Sequence, residues 1–175
     1  SDICQNRACF DPSLGRDDIL AGFGLRAGFQ EDALVDAALA AGDVEALGQL
    51  VPILNRGKTS DVKLASGIEA ALRGPGGTAF LAALEGLFLY GAKAANPYGP
   101  KIGALPTKEV RDGPAAPLMP QIDGLMTRLA DGRERRLALL AAERTFALHR
   151  FAAAFLPRYE ARKARAGLLD FDDLI

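Results

Sequence analysis

The densest group of carboxylates in the chain is the run 170–173, Asp-Phe-Asp-Asp. Carboxylates this close together can hold a magnesium ion for phosphoryl chemistry. They equally suit the first turn of a helix, where Asp170 caps free amides and Asp172 and Asp173 meet the positive end of the helix dipole. Capping is the simpler reading, because no second cluster of ligands accompanies them.

Two glycine-containing turns invite comparison with phosphate-binding loops. Gly57-Lys58-Thr59-Ser60 has the tail of such a loop, but the pattern needs a glycine five positions earlier, where Pro52 stands. A phosphate loop also follows a buried strand, whereas 44–55 has helical spacing. Gly74-Pro75-Gly76-Gly77 fails as well, since Pro75 offers no donor and a turn between helices accounts for the composition. His149 is the single histidine and has no cysteine or serine partner at a spacing that would build a nucleophilic site. Cys4 and Cys9 are the only cysteines, too few for a zinc site or a secreted disulfide framework, and are expected as reduced thiols in the cytoplasm.

Basic side chains are the remaining chemistry, and they are unevenly spread. Residues 1–132 hold 12 basic and 16 acidic groups, a net of −4. Residues 133–165 carry Arg133, Arg135, Arg136, Arg144, Arg150, Arg158, Arg162, Lys163 and Arg165 against Glu134, Glu143 and Glu160, a net of +6. The final ten residues contribute −3, so the whole chain nets −1 and has no strong overall attraction to nucleic acid or membrane. A basic helix face can track phosphates; a solvated outer face is the alternative. A second basic set, Lys93, Lys101, Lys108 and Arg111, lies in a proline-rich stretch beside Glu109 and Asp112.

The elements that must position these residues are helices. Apolar residues recurring at three- and four-residue spacing predict helices over 16–28, 31–41, 44–55, 60–73 and 78–90. Gly22 and Gly24 weaken the first, Gly42 ends the second, and Asp43 caps the third. Ser60 or Asp61 caps the fourth, which ends at Gly74-Pro75. Residues 91–120 contain six prolines and Gly99, Gly103 and Gly113, and read as one long surface loop. Helical spacing resumes over 121–165, with a break expected at Asp131-Gly132 and a kink at Pro157. Leu137, Leu140, Leu148, Phe151, Phe155 and Tyr159 fall on one stripe of this last helix. The prediction is a single all-α domain over 1–175, a helical bundle with one long Pro/Gly-rich loop.

Bulk composition agrees. The 175 residues are 49% apolar and 25% charged, which is globular rather than disordered, and long enough to bury a core. No apolar run reaches the roughly 18 residues a membrane span needs. The chain opens Ser1-Asp2-Ile3 without Met and stops at Leu174-Ile175 inside an apolar pattern, so a piece of a longer protein is expected.

The stretch 159–175, Tyr-Glu-Ala-Arg-Lys-Ala-Arg-Ala-Gly-Leu-Leu-Asp-Phe-Asp-Asp-Leu-Ile, closely resembles a signature of UvrD/Rep-like superfamily 1 helicases. In that group a Tyr-x-x-x-Lys motif, here Tyr159 and Lys163, leads through a small turn to Asp-Phe-x-Asp-Leu, here Asp170, Phe171, Asp173 and Leu174. The form Leu-Asp-Phe-Asp-Asp-Leu-Ile looks most like the AddA type, the helicase-nuclease subunit of bacterial double-strand break repair. The motif covers about a tenth of the chain, and the remainder is similar in layout only.

The resemblance implies subdomain 1B, a helical insertion in the first motor domain, with 168–175 as the segment that returns to the motor. It makes the acidic run structural, in agreement with capping. It implies ATP and magnesium in the parent enzyme but no cofactor, metal or catalytic residue in this segment. DNA at a single-strand/duplex junction and an AddB-like subunit are the implied partners. The candidate DNA contacts are Lys93, Lys101, Lys108, Arg111, Arg133, Arg136, Arg144, Arg150, Arg158, Arg162 and Lys163. Two rivals remain: a helical protein-interaction module without nucleic-acid binding, and a small enzyme using Asp170, Asp172 and Asp173 with a metal. With few aromatics and no Trp, base stacking is a minor expectation.

Overall fold

A computed structural model of the chain describes residues 13–167. Its helices are α1 (Arg16–Gly22), α2 (Glu31–Ala38), α3 (Asp43–Leu54), α4 (Thr59–Arg73), α5 (Gly77–Phe88), α6 (Lys108–Arg111) and α7 (Met119–Ala166), with a 3-10 turn at Ala116–Leu118. Among the described residues there is no strand, only an isolated bridge between Leu89 and Pro100. The fold is all-α, as the apolar spacing predicts. The chain divides into two compact units: Gln30–Leu137, and Ser1–Phe29 together with Ala138–Ile175.

In the unit Gln30–Leu137, α3 packs on α4, α4 on α5, and α2 on α5. The three- and four-residue spacing of Leu47, Leu50 and Leu54, of Leu64 and Ile68, and of Leu81, Leu84 and Phe88 turns each set inward, where all are buried. Ile122, Leu125, Met126 and Leu129 complete this core from the first turns of α7. Full burial of one such side chain stabilises by roughly 1.5–3 kcal/mol. Gly42 enters α3 at φ 85°, a left-handed conformation that glycine adopts without the clash a Cβ would meet.

Three buried carboxylates, one from each of α3, α4 and α5, tie these helices to the later part of the unit. Asp43 accepts hydrogen bonds from the Ala40 amide (2.8 Å), Gln121 Nε2 (3.2 Å) and Arg128 Nη2 (2.5 Å). Asp61 accepts from the Lys58 amide (3.0 Å), the Thr107 amide (2.9 Å) and the Thr107 hydroxyl (2.8 Å). Glu85 accepts from Arg136 Nε (2.6 Å) and Nη2 (2.5 Å). A buried carboxylate without such partners would be strongly destabilising, so each set of bonds fixes where its helix sits.

The predicted break at Asp131-Gly132 is absent, and α7 runs through it. Leu129 is buried on one side of that point and Arg136 bonds to Glu85 on the other, which outweighs the modest helix penalty of one glycine. Ser60 is not a cap: α4 starts at Thr59 with Lys58 as the flanking residue, and Asp61 satisfies the Lys58 amide from inside the first turn. The stretch 91–120 is more structured than its prolines suggest. It contains α6 and the 3-10 turn, and its start is hydrogen-bonded to the end of α5 through Tyr90 N to Gly99 O and Lys101 N to Phe88 O, both 2.9 Å. Val110 and Ala115 anchor it by burial. Pro120 falls in the first turn of α7, where its missing amide costs nothing.

In the other unit, α1 buries Ile19 and Leu20, with Leu25 following it. Arg16 donates to Glu143 from Nε (2.8 Å) and Nη2 (2.5 Å) and to the Phe29 carbonyl (2.8 Å), joining α1 to α7. Here α7 buries Leu139, Ala142 and Ala152. The stripe of larger apolar residues that the sequence singles out does not form the buried face. Leu140 is 38% exposed, Leu148 43% and Phe151 53%. Leu139 and two alanines face inward, while Leu140, Leu148 and Phe151 face out.

Candidate nucleic-acid interface

The structure sorts the candidate cations into two classes. Those of the unit Gln30–Leu137 mostly hold the fold together. Arg111 pairs with Asp123 through both guanidinium nitrogens and also donates to the Leu105 carbonyl at 3.1 Å. The hydrogen bond to Asp123 raises the Arg111 pKa above the ordinary arginine value. Arg136 is similarly raised, first by its hydrogen bond to Glu85. Arg133 lies 3.8 Å from Glu85 and 3.1 Å from Glu134, and its guanidinium sits 3.5 Å from the centre of the Tyr98 ring. Tyr98 presents that ring from a left-handed backbone at φ 58°. Lys101 donates from Nζ to the Leu87 carbonyl at 2.8 Å, and partial burial lowers its pKa. Lys93 and Lys108 are exposed.

The second class lies on the C-terminal half of α7. Arg144, Arg150, Arg158 and Arg162 are exposed, and so is Arg165, which the sequence reading counts as basic without naming it a contact. Arg150 lies 5.9 Å from the Phe146 ring centre. Lys163 is buried at 9% exposure, 3.9 Å from Glu160 and 5.9 Å from the Tyr159 ring centre. The carboxylates of this stretch, Glu143 and Glu160, lie against Arg16 and Lys163. Among the described residues, the exposed charges of this half of α7 are therefore arginines.

Arg144, Leu148, Phe151, Phe155, Arg158 and Arg162 follow one another at steps of four, three, four, three and four residues, which aligns them on one helix face. All but the half-buried Phe155 are exposed. Phe151 stacks on Phe155 with ring centres 5.4 Å apart and planes 13° from parallel. Phe155 stacks on Tyr159 at 5.7 Å and 23°. Leu148, Phe151 and Phe155 belong to the apolar stripe expected from the sequence; the arginines in line with them and the outward orientation of Leu148 and Phe151 do not follow from it. Period alone aligns residues on a face, and only the packing partner decides which face is buried.

The other sequence candidates resolve on geometry. Gly57 to Ser60 follow helix α3 rather than a strand, and an Asp61 oxygen already takes the Lys58 amide at the start of α4. A Cβ on Gly57 would come within 2.6 Å of that same carboxylate, which leaves no room for a phosphate there. Gly74 to Gly77 form the turn from α4 into α5. His149 lies half-buried on α7. Among the described residues no group of three or more His, Cys, Asp or Glu side chains is placed to hold a metal. Asp170, Phe171, Asp172, Asp173 and Leu174, with Cys4 and Cys9, lie outside the described residues. Among the described residues no single helix is long and apolar enough to cross a membrane. Comparison with protein-family models, curated proteins and solved structures finds no match to this chain.

Proposed function

We propose that this chain is a DNA-facing, non-catalytic helical subdomain of an AddA-type DNA helicase acting in double-strand break repair, corresponding to subdomain 1B. The observation that carries the reading is the row of exposed arginines along the C-terminal half of α7, Arg144, Arg150, Arg158 and Arg162, on the helix that leads into the helicase-like stretch 159–175. In this reading ATP and magnesium act elsewhere in a longer cytoplasmic protein, an AddB-like subunit is its partner, and the chain supplies phosphate contacts at a single-strand/duplex junction.

The test is fluorescence anisotropy with forked DNA across a salt series. Neutralising about three or four phosphates gives a log–log slope of roughly −3, and each single Arg→Gln change on α7 makes it shallower by about one. Absence of binding at low salt would remove the reading. A protein-interaction module is the second reading, favoured by an apolar groove of about 320 Å³ between α4 and α5, lined by Gly67, Ala70, Phe80, Ala83 and Leu87 among others. A partner engaged there, with no DNA bound, would select it.

A further inference from the structure

The outward stripe on α7 sets an apolar, partly aromatic centre between charged ends along one line. From Arg144 to Arg162 it spans about 27 Å at the helical rise. Arginines lie at both ends, and Leu148, Phe151 and Phe155 lie between them. We infer that this stripe is a docking track for single-stranded nucleic acid, with arginines on phosphates and an unstacked base on the open face of Phe151. The inference rests on the DNA-facing reading above and specifies which form of DNA is bound and how.

Charge and geometry choose this occupant over others. A second copy of the helix, antiparallel about the Phe151–Phe155 centre, sets Arg144 against Arg162; a parallel copy sets each arginine against itself. Both arrangements oppose like charges in the seam. An interfacial membrane helix keeps its apolar stripe free of charge and its cations along the flanks. Here Arg144, Arg158 and Arg162 lie on the same line as Phe151, so immersing the ring would immerse the guanidiniums, at high cost. A single strand offers a partner for both kinds of surface: anionic phosphates for the arginines at the ends, and flat bases that stack on aromatic rings regardless of sequence for the centre. The ladder is already organised, because Phe151 on Phe155 and Phe155 on Tyr159 hold the rings in order along the helix. Phe151, at its outer end, is more than half exposed.

The experiment uses the whole chain and three probes: a labelled oligothymidylate, an oligomer of the same length lacking its bases, and the forked duplex. Phe151→Leu keeps apolar bulk and removes the ring, while Leu148→Ala removes apolar area and leaves every ring. Circular dichroism checks that both variants keep their helix content. The expected result is tighter binding of oligothymidylate than of the baseless strand, weakened roughly tenfold by Phe151→Leu and little by Leu148→Ala. Fork binding that responds to Arg144→Gln, with Phe151→Leu binding oligothymidylate as tightly as the parent chain, overturns the inference and leaves the DNA-facing reading intact. Equal losses from Phe151→Leu and Leu148→Ala also overturn it, because the face is then a general apolar contact suited to a protein helix or a lipid surface. No binding to any of the three probes removes both.

Discussion

Glu85 is the sharpest place to perturb this fold. It lies on the otherwise apolar α5, is 7% exposed, and holds Arg136 of α7 by two bonds of 2.6 and 2.5 Å. Arg133 lies 3.8 Å away. Glu85→Leu keeps most of the side-chain volume, so little of its effect comes from a cavity. It leaves the Arg136 side chain, 11% exposed, without its counter-ion. Removing one partner of a buried pair costs roughly 3–5 kcal/mol. For a chain of this length, about 3 kcal/mol lowers the melting temperature by roughly 6–12 °C.

Replacing both partners tests the mechanism. The double variant Glu85→Leu with Arg136→Met removes the uncompensated charge, and such replacements are often neutral. Recovery to within about 1 kcal/mol of the parent chain is expected, because Arg133 keeps Glu134 at 3.1 Å. Thermal and urea unfolding followed by far-ultraviolet circular dichroism give both numbers. A single variant that shifts the melting temperature by less than about 2 °C refutes the reasoning, since the cost of an unpaired buried charge is then missing. A double variant less stable than the single one refutes it equally.

Asp61→Ala removes the acceptor for the Lys58 and Thr107 amides and the Thr107 hydroxyl, at a cost of about 1–3 kcal/mol. Faster hydrogen exchange at the Thr107 amide, with the core of α3 still protected, is the expected signature. Lys101 has a folded pKa below the ordinary lysine value of 10.5, because burial disfavours its charge. The folded state therefore carries a penalty that is complete below the folded pKa and is relieved as pH rises toward 10.5. Lys101→Met should flatten that part of the stability–pH curve, and an unchanged curve would count against the assignment. Arg136, raised above its ordinary value, stabilises fully below the arginine range and adds no pH dependence there.

The all-α class, the helical character of 121–165 though not its continuity through Asp131-Gly132, and the position of the loop were legible in the sequence, because apolar spacing and the clustering of proline and glycine are local signals. Asp43 and Asp61 were legible as helix-start residues; their reach to Arg128 and to Thr107 was not, since those partners are 85 and 46 residues away. Glu85 left one signal, a lone acid in the apolar sequence of α5, but nothing local names Arg136 as its partner. The basic stretch 133–165 was plain in composition, yet the sequence could not separate Arg136, bonded inside the fold, from Arg144, exposed on it. Of the stripe Leu137, Leu140, Leu148, Phe151, Phe155 and Tyr159, tertiary packing leaves Leu140, Leu148 and Phe151 exposed and the other three half-buried, and buries Leu139, Ala142 and Ala152 instead. Sequence period fixes which residues share a face, because the helix repeats every 3.6 residues. Which face is buried, and which charges are paired, depends on side chains brought from distant parts of the chain, and only the tertiary structure decides it.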